Sequence, residues 1–229
     1  MRKALVVLSG GQDSTTCAVI ARNQFDSVFG ITFNYGQRHL TEVQSAIKIS
    51  QKLDISLEIL DLGDSILKGT SPLISNSKLG QYESADELPT GVEPTFVPAR
   101  NILFLTLAAN RAAVLGINDL FTGVCQADFA GYWDCRQVFI DKLQDALNEG
   151  IYGEDRLKIH TPLMDLTKSE SVKLAYNILG EQRFNDIFEL THTCYAGVKG
   201  GCGKCHACVL RDKGFNESGI VDPIWKYRK

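Results

Sequence analysis

Apolar positions change their spacing several times along the chain, and each change marks an element. Lys3 to Leu8 holds an unbroken aliphatic run, the pattern of a strand buried on both faces of a parallel sheet. Ser9-Gly10-Gly11-Gln12-Asp13-Ser14 interrupts it, and a helical stretch follows to Arg22. Ser27 to Phe33 reads as a second strand and Leu57 to Leu60 as a third. Between them, residues 38 to 53 read as a helix with Val43, Ala46, Ile47 and Leu53 on one face. The succession β-α-β-α-β predicts a parallel sheet with right-handed crossovers.

Residues 62 to 95 break this rhythm with Gly63, Gly69, Pro72, Gly80, Pro89, Gly91 and Pro94. A structureless segment this long inside a compact domain is usually functional, and it reads as an active-site flap. Beyond it, Arg100 to Leu115 is a mostly apolar helix expected to be central, and Leu120 to Val124 is a strand. Arg136 to Asn148 is an amphipathic helix, and Thr161-Pro162 closes a short strand. Thr167 and Glu170 fit a capping box for a helix that runs to about Leu179 and stops at Gly180.

The chain has 229 residues, which at ~150 per domain suits one domain with an appendage. The expected division is 1–185 for the α/β part, with 62–95 as its flap, and 186–229 for a small C-terminal part. Hydrophobic residues make up 44% and charged residues 22%, an ordinary globular balance. The net charge of −3 argues against a nucleic-acid partner held through phosphates. No apolar stretch approaches the ~20 residues of a membrane span, and the run after Arg2-Lys3 is too short for a secretory core. No membrane partner and a cytoplasmic location are expected.

Composition matters most at the cysteines. Of seven, Cys194, Cys202, Cys205 and Cys208 fall within fifteen residues. The spacing C-x7-C-x2-C-x2-C lets a chain wrap one tetrahedral Zn²⁺, one per chain, in a closed and therefore structural site. Gly197, Gly200, Gly201 and Gly203 supply bends. An iron–sulfur cluster and a redox Cys-x-x-Cys pair compete with this reading. His192 and His206 are alternative ligands, but His206 reads more simply as a solvated residue between ligands. Cys17 reads as core, and neither Cys125 nor Cys135 is assigned a catalytic role.

The turn after the first strand carries the other chemistry. Two glycines let the backbone approach an anion, and the helix behind offers free N–H groups and a positive dipole end. Ser9 and Ser14 add hydroxyls, and Asp13 makes sense there as a holder of Mg²⁺ bound to phosphates. The loop is neither a Walker motif nor a dinucleotide fingerprint. Without more, it would be a tight turn capping a helix.

The full string Ser-Gly-Gly-x-Asp-Ser at the end of a first strand resembles the loop of the ATP pyrophosphatase (PP-loop) superfamily. Pro162-Leu163-Met164-Asp165-Leu166-Thr167-Lys168 resembles the segment whose lysine contacts phosphates there. Further strings narrow the match. They are Phe33-Asn34-Tyr35-Gly36-Gln37-Arg38-His39, Thr95-Phe96-Val97-Pro98-Ala99-Arg100-Asn101, Thr122-Gly123-Val124-Cys125, and Asp128 through Arg136 with the cysteine cluster. Together they resemble the 7-cyano-7-deazaguanine synthase family of queuosine biosynthesis, from Leu8 to about Arg211. Ala99 stands where the family commonly has Gly, and Trp133 where it commonly has Pro.

The resemblance implies an adenine nucleotide alpha hydrolase-like, Rossmann-like domain with a C-terminal zinc-binding subdomain. It also implies a ligase that uses ATP twice on 7-carboxy-7-deazaguanine and ammonia, releasing AMP and pyrophosphate through adenylate and amide intermediates. ATP is then expected at Leu8, Ser9, Gly10, Gly11, Gln12, Asp13, Ser14, Thr15, Thr16, Cys17 and Ala18. Asp13, with Mg²⁺, and the cations Arg100 and Lys168 are the catalytic candidates, since stabilising charge at phosphorus usually contributes most to such catalysis. Tyr132 and Trp133 offer faces for a flat base. Asp128 or Asp134 offers a carboxylate to its N–H edge, and Arg136 a fork for the substrate carboxylate. Each has a plainer reading: Tyr132-Trp133 as loop packing, Arg100 and Lys168 as helix-start residues, Asp134 as a cap. Gln37, Arg38 and His39 either touch nucleotide or only start a helix. Family members are often homodimers, and a homodimer is expected. A tRNA thiolation enzyme and a zinc-knuckle binding module are the rivals. The acidic balance argues against the first, which needs a basic surface, and the second leaves the Gly10-Gly11 loop unexplained. No glutaminase domain fits, so free or delivered ammonia is expected.

Overall fold

The structure is a computed structural model that describes residues 1–75, 78–89, 91–126, 132–154 and 156–228. Five strands form one sheet: β1 (Lys3–Val7), β2 (Ser27–Asn34), β3 (Ser56–Asp61), β4 (Asp119–Phe121) and β5 (Lys158–His160). All pairings are parallel and the order is β3-β2-β1-β4-β5. β1 is central, and its aliphatic run is split between two cores by the two-residue period of a strand. Ala4, Val6 and Leu8 face one side, while Leu5 faces the other.

The first core joins β1 to α1 (Gln12–Gln24), α2 (Thr41–Leu53), α5 (Lys168–Leu179), α6 (Glu181–Phe188) and α7 (His206–Ser218). The second joins it to α3 (Arg100–Val114) and α4 (Gln137–Leu147). The C-terminal segment contributes Phe215 of α7 to the first core, beside Phe184 and Phe188 of α6, all three fully buried. The capping box at α5 forms as expected: Thr167 Oγ1 accepts from the Glu170 N–H, and Glu170 accepts from the Thr167 N–H at 2.8 Å.

Several expectations are corrected. α2 begins at Thr41, not 38, because the Gln37 side chain staples a turn there. Its amide accepts from the Tyr35 N–H at 2.8 Å and donates to the Phe33 carbonyl at 3.1 Å. Ile49, not Ile47, completes the buried face. α3 is not central. Only Leu105, Ala108, Ala109 and Ala112 are buried, while Ile102 and Val114 are 46% and 65% exposed. Ile102, Ala113 and Val114 on its outer side read as apolar without being buried. β4 ends at Phe121, since after Thr122 the chain turns away toward the cavity described below. α7 carries no periodic apolar pattern that predicts it, whereas Phe184, Ile187 and Phe188 of the eight-residue α6 do repeat at helical spacing, a signal the sequence reading misses.

Segment 62–95 contains only a short 3-10 turn at 85–87 among its described residues. Leu67 and Leu73 pack into the second core, and the Ser71 hydroxyl donates to the Thr95 carbonyl at 3.0 Å. The Tyr82 N–H donates to the Lys204 carbonyl at 2.8 Å, and Lys204 pairs with Glu83 at 3.0 Å. The segment is thus tied to the cysteine-rich loop.

Two features carry stability tests. Ala99 holds a left-handed backbone, φ +64°, which costs an L-residue ~1–2 kcal/mol, partly offset in any glycine replacement by unfolded-state entropy. Ala99→Gly should therefore stabilise the chain by about 0.5–1 kcal/mol in urea titration. Asp222 accepts two hydrogen bonds from Arg211, at 2.6 and 2.9 Å, with both side chains essentially fully buried. Asp222→Ala leaves a buried guanidinium unpaired and should cost about 3–5 kcal/mol by the same measurement.

Candidate active site

In an open parallel sheet, ligands collect beyond the carboxyl ends of the strands where the strand order reverses. Here β2 lies on one side of β1 and β4 on the other, so the reversal falls between β1 and β4. A cavity of about 330 Å³ opens there, walled by the ends of β1, β2 and β4, the starts of α1, α2, α3, α5 and α7, and residues 192, 193 and 195.

The Ser9–Ser14 loop forms its floor. Gly10, at φ +87°, runs so close to α2 that a Cβ would lie 2.3 Å from the Glu42 carbonyl oxygen and 2.7 Å from the Ala46 nitrogen. Ser9 and Ser14 hydroxyls meet at 3.0 Å, and Ser14 also donates to the Gly11 carbonyl at 3.1 Å. Gly11 caps α1 without a side-chain bond, which leaves first-turn N–H groups facing the cavity. Lys168, opening α5, donates to Asp13 Oδ2 at 2.7 Å. Asp13 Oδ1 and Gln12 Nε2 are buried and have no hydrogen-bond partner among the described residues. A lone carboxylate oxygen and a lone amide donor on one cavity floor suit a cation and an anion bound together.

Of the other expected ATP residues, Leu8, Thr15, Thr16, Cys17 and Ala18 are buried behind the loop and none lines the cavity, while Gly10 sits against α2. Thr15 and Thr16 hydroxyls donate back to Gly11 and Gln12 carbonyls. Arg100 lines the cavity from the first turn of α3.

The substrate candidates separate. Tyr132 lines the cavity, and its hydroxyl lies 2.9 Å from Thr95 Oγ1 and donates to Glu93 at 3.3 Å. Glu93 is buried, also accepts from the Thr95 hydroxyl and N–H, and is held above the usual carboxylate range by that burial. Trp133 is 59% exposed, edge-on to Phe96. Asp134 is buried but turned to α3, accepting from the Asn101 N–H at 3.3 Å, so it caps α3 and not the helix that follows it. Arg136 is exposed and donates to the Trp133 carbonyl at 3.2 Å. Neither carboxylate nor guanidinium of this pair faces the cavity, because each already has a protein partner. Asp128 lies outside the described residues.

Further residues to which the sequence reading gives no place in this site line the cavity: Thr32, Glu42, Thr122, Tyr195 and Arg211, with His192, there weighed only as a metal ligand. Glu42 has a visible signal, since it sits four and seven residues before the buried Ala46 and Ile49 and so on the inward face of α2. His206 is corrected. It is 5% exposed, starts α7 and lines the cavity, and burial lowers its pKa to about 4. Gln37 lines the cavity while stapling its turn, and the His39 ring packs on Gly197.

The four cluster sulfurs of Cys194, Cys202, Cys205 and Cys208 all lie within 4.8 Å of one another. Thiolates at tetrahedral Zn–S distance stand roughly 3.8 Å apart, and Cys202 and Cys208 sulfurs are 3.9 Å apart. The Cys205 N–H points at the Cys202 sulfur at 3.3 Å, and Cys208 sits in the first turn of α7, whose dipole favours a thiolate. The donor set fits a metal ion such as zinc. The same segment braces the cavity floor: the His192 N–H donates to the Gly10 carbonyl at 2.9 Å.

These features define the class: a PP-loop, adenine nucleotide alpha hydrolase-like fold with a four-cysteine metal centre. A 4-thiouridine synthetase, solved with RNA and ATP, is similar at TM-score 0.51 and 16% identity over 100% of this chain and 54% of its own. A protein described as a subunit of tRNA methyltransferase from Methanocaldococcus jannaschii is similar at TM-score 0.50 and 20% identity, over 76% and 74% of the two chains. The profile of the family described as queuosine biosynthesis protein QueC matches residues 3–219. The 7-cyano-7-deazaguanine synthase of Gloeobacter violaceus is 63% identical over 100% of this chain and 98% of its own. That of Laribacter hongkongensis is 43% identical over 96% and 93%. The chain belongs to the 7-cyano-7-deazaguanine synthase family.

The metal centre carries a test. Cys205→Ser should reduce bound metal from one ion per chain to none by elemental analysis. It should also lower Tm by at least about 5 °C, as for a loss of roughly 2 kcal/mol in a chain of this size, and should speed proteolysis near Tyr82, which the cysteine loop ties down.

Proposed function

We propose that the chain converts 7-carboxy-7-deazaguanine and ammonia into 7-cyano-7-deazaguanine at the expense of two ATP molecules. The observation that carries this is the pairing of an unpartnered Asp13 Oδ1 with an unpartnered Gln12 Nε2 beside Lys168, on the floor of a cavity in a chain of this family. In this reading the Gly11–Ser14 turn receives the pyrophosphate portion of Mg-ATP, and Asp13 meets its Mg²⁺. The substrate carboxylate attacks the α-phosphorus, an acyl adenylate forms and pyrophosphate leaves. Ammonia attacks the acyl carbon and AMP departs, giving the amide. A second ATP adenylates the amide oxygen, and loss of AMP with two protons leaves the nitrile. Arg100 and Lys168 stabilise charge developing at phosphorus. Tyr132 offers the base a face, with Trp133, Asp134 and Arg136 shaping the loop around it.

In the same reading residues 1–185 bind the nucleotide, and residues 186–229 hold one structural Zn²⁺. The protein works as a cytoplasmic homodimer on small molecules without nucleic acid. Among the described residues no helix is long and apolar enough to cross a membrane.

The deciding experiment incubates the protein with Mg-ATP, ammonium chloride and 7-carboxy-7-deazaguanine, and follows base and nucleotide by mass spectrometry. Nitrile, AMP and pyrophosphate are expected, with two AMP per nitrile. Amide alone would remove the second step from the proposal, and no turnover of base by folded, metal-loaded protein would overturn it. Lys168→Met should lower kcat about 10²–10³-fold, the scale of losing one charge-stabilising donor, with the fold intact by circular dichroism.

A further inference from the structure

A second, smaller cavity of about 50 Å³ adjoins the first. It has room for a few water-sized molecules and none for a base or a nucleotide. Six residues line both spaces: Tyr35, Gln37, Glu42, Arg100, His192 and Tyr195. Its remaining wall includes Arg38, His39 and Leu73, which the main cavity lacks. All of the lining residues except Leu73 carry a polar or ionisable group. The His39 Nε2 atom is buried there without a hydrogen-bond partner among the described residues, and its ring is held in place against Gly197. Glu42 is the one carboxylate lining this chamber among the described residues, and it lies at the partition.

We propose that this side chamber is the ammonia-binding site of the reaction, and that Glu42 receives the incoming ammonium ion and accepts its proton. The inference rests on the function proposed above. A small, polar chamber excludes larger amines by volume. Its single carboxylate attracts the ion, while Arg38 and Arg100 on the same wall disfavour a cation that stays charged, so the nitrogen is left neutral. The partition is shared with Arg100, which puts a nucleophile released from the chamber next to the space where an acyl adenylate would lie. Ammonium gives one proton to the Glu42 carboxylate and becomes NH3. The nitrogen lone pair forms the new bond to the acyl carbon, and the carbon–oxygen bond to AMP breaks with its electron pair. The nitrogen then loses one proton to water, leaving the neutral amide. Glu42 returns its own proton to solvent before the next cycle.

The groups that face Glu42 set its readiness. They are Arg100 from α3, Tyr35, Arg38 and His39 from the turn after β2, and His192, Cys194 and Tyr195 from the segment before α7. Burial pushes its carboxyl up to about 7, against the downward pull of Arg100 and with a smaller upward push from Cys194.

The test separates adenylation from amide formation. Adenylation is followed as exchange of labelled pyrophosphate into ATP with 7-carboxy-7-deazaguanine and no ammonium. Amide formation is followed against ammonium chloride concentration between pH 6 and 9. Glu42→Gln should keep exchange within about threefold of wild type while raising KM for ammonium at least tenfold at pH 7. The defect should shrink as pH rises, because more of the nitrogen arrives already as NH3. Leu73→Phe adds bulk to the chamber wall, away from the main cavity's lining, and, with the fold checked by circular dichroism, should raise the same KM with exchange preserved. Unchanged ammonium KM in both variants, or a loss of exchange equal to the loss of amide formation, overturns the chamber. Absence of exchange in the wild-type protein overturns the proposed function itself, and the chamber with it.

Discussion

The strand order reverses between β1 and β4, and everything chemical in this chain is arranged around that gap. Crossovers on either side of β1 leave no helix over its carboxyl end, so backbone N–H groups of the Gly11–Ser14 turn remain open to a ligand. The gap is tight as well as open. A Cβ on Gly10 would strike α2, and one on Gly123 would meet the Asp13 and Ser14 backbone at 3.0 Å. Glycine at the ends of both central strands thus lets three backbone segments converge on one floor, and Asp13 and Lys168 reach each other across it from helices α1 and α5.

The four-cysteine site is joined to this floor from both sides. Four thiols this close offer a metal ion a full tetrahedral set of ligands. What the cluster fixes is the path of the chain on each side. Upstream, His192 hydrogen-bonds Gly10, and Thr193 receives a hydrogen bond from the buried Arg211 at 2.9 Å. Downstream, α7 packs so closely on the start of α5 that a Cβ on Gly214 would lie 2.5 Å from the Lys168 Cβ. In between, Lys204 holds the long loop through Tyr82 and Glu83. An ion held by these four thiols would therefore orient Gly10, Lys168 and the long loop together, a use for a metal in a chain long enough to fold without one.

What the sequence reveals follows the range of the interactions involved. β1 is legible because burial on both faces leaves a continuous apolar run, and the α5 cap because a capping box is local. The Ser9–Ser14 loop and the four cysteines are legible for the same reason: their partners are a few residues away. Residues whose surroundings come from distant segments are not. His206 looks like a solvated spacer between ligands, yet the start of α7 turns it into the cavity. Asp134 looks like the cap of the next helix, and instead reaches back to Asn101. α3 looks central because Ile102, Ala113 and Val114 count as apolar although they stand on its exposed side. Glu42 is the intermediate case, since its inward face could be read from spacing but its neighbours, Arg100 and Tyr195, could not.

The cysteines outside the cluster sharpen the nature of the site. Cys17 is buried and donates toward the Thr122 carbonyl, Cys125 donates to the Leu166 carbonyl at 3.1 Å, and burial pushes Cys135 up to about 12. A nucleophilic thiol needs the opposite, a lowered pKa in an electropositive and accessible place. A cavity lined by two such silent thiols, a lysine–aspartate pair and an arginine favours chemistry by charge stabilisation over chemistry through a covalent enzyme intermediate. In the proposed reaction the groups that matter would act on phosphorus and on the arriving nitrogen, and the same set could serve both proposed adenylations, since neither would consume any of them.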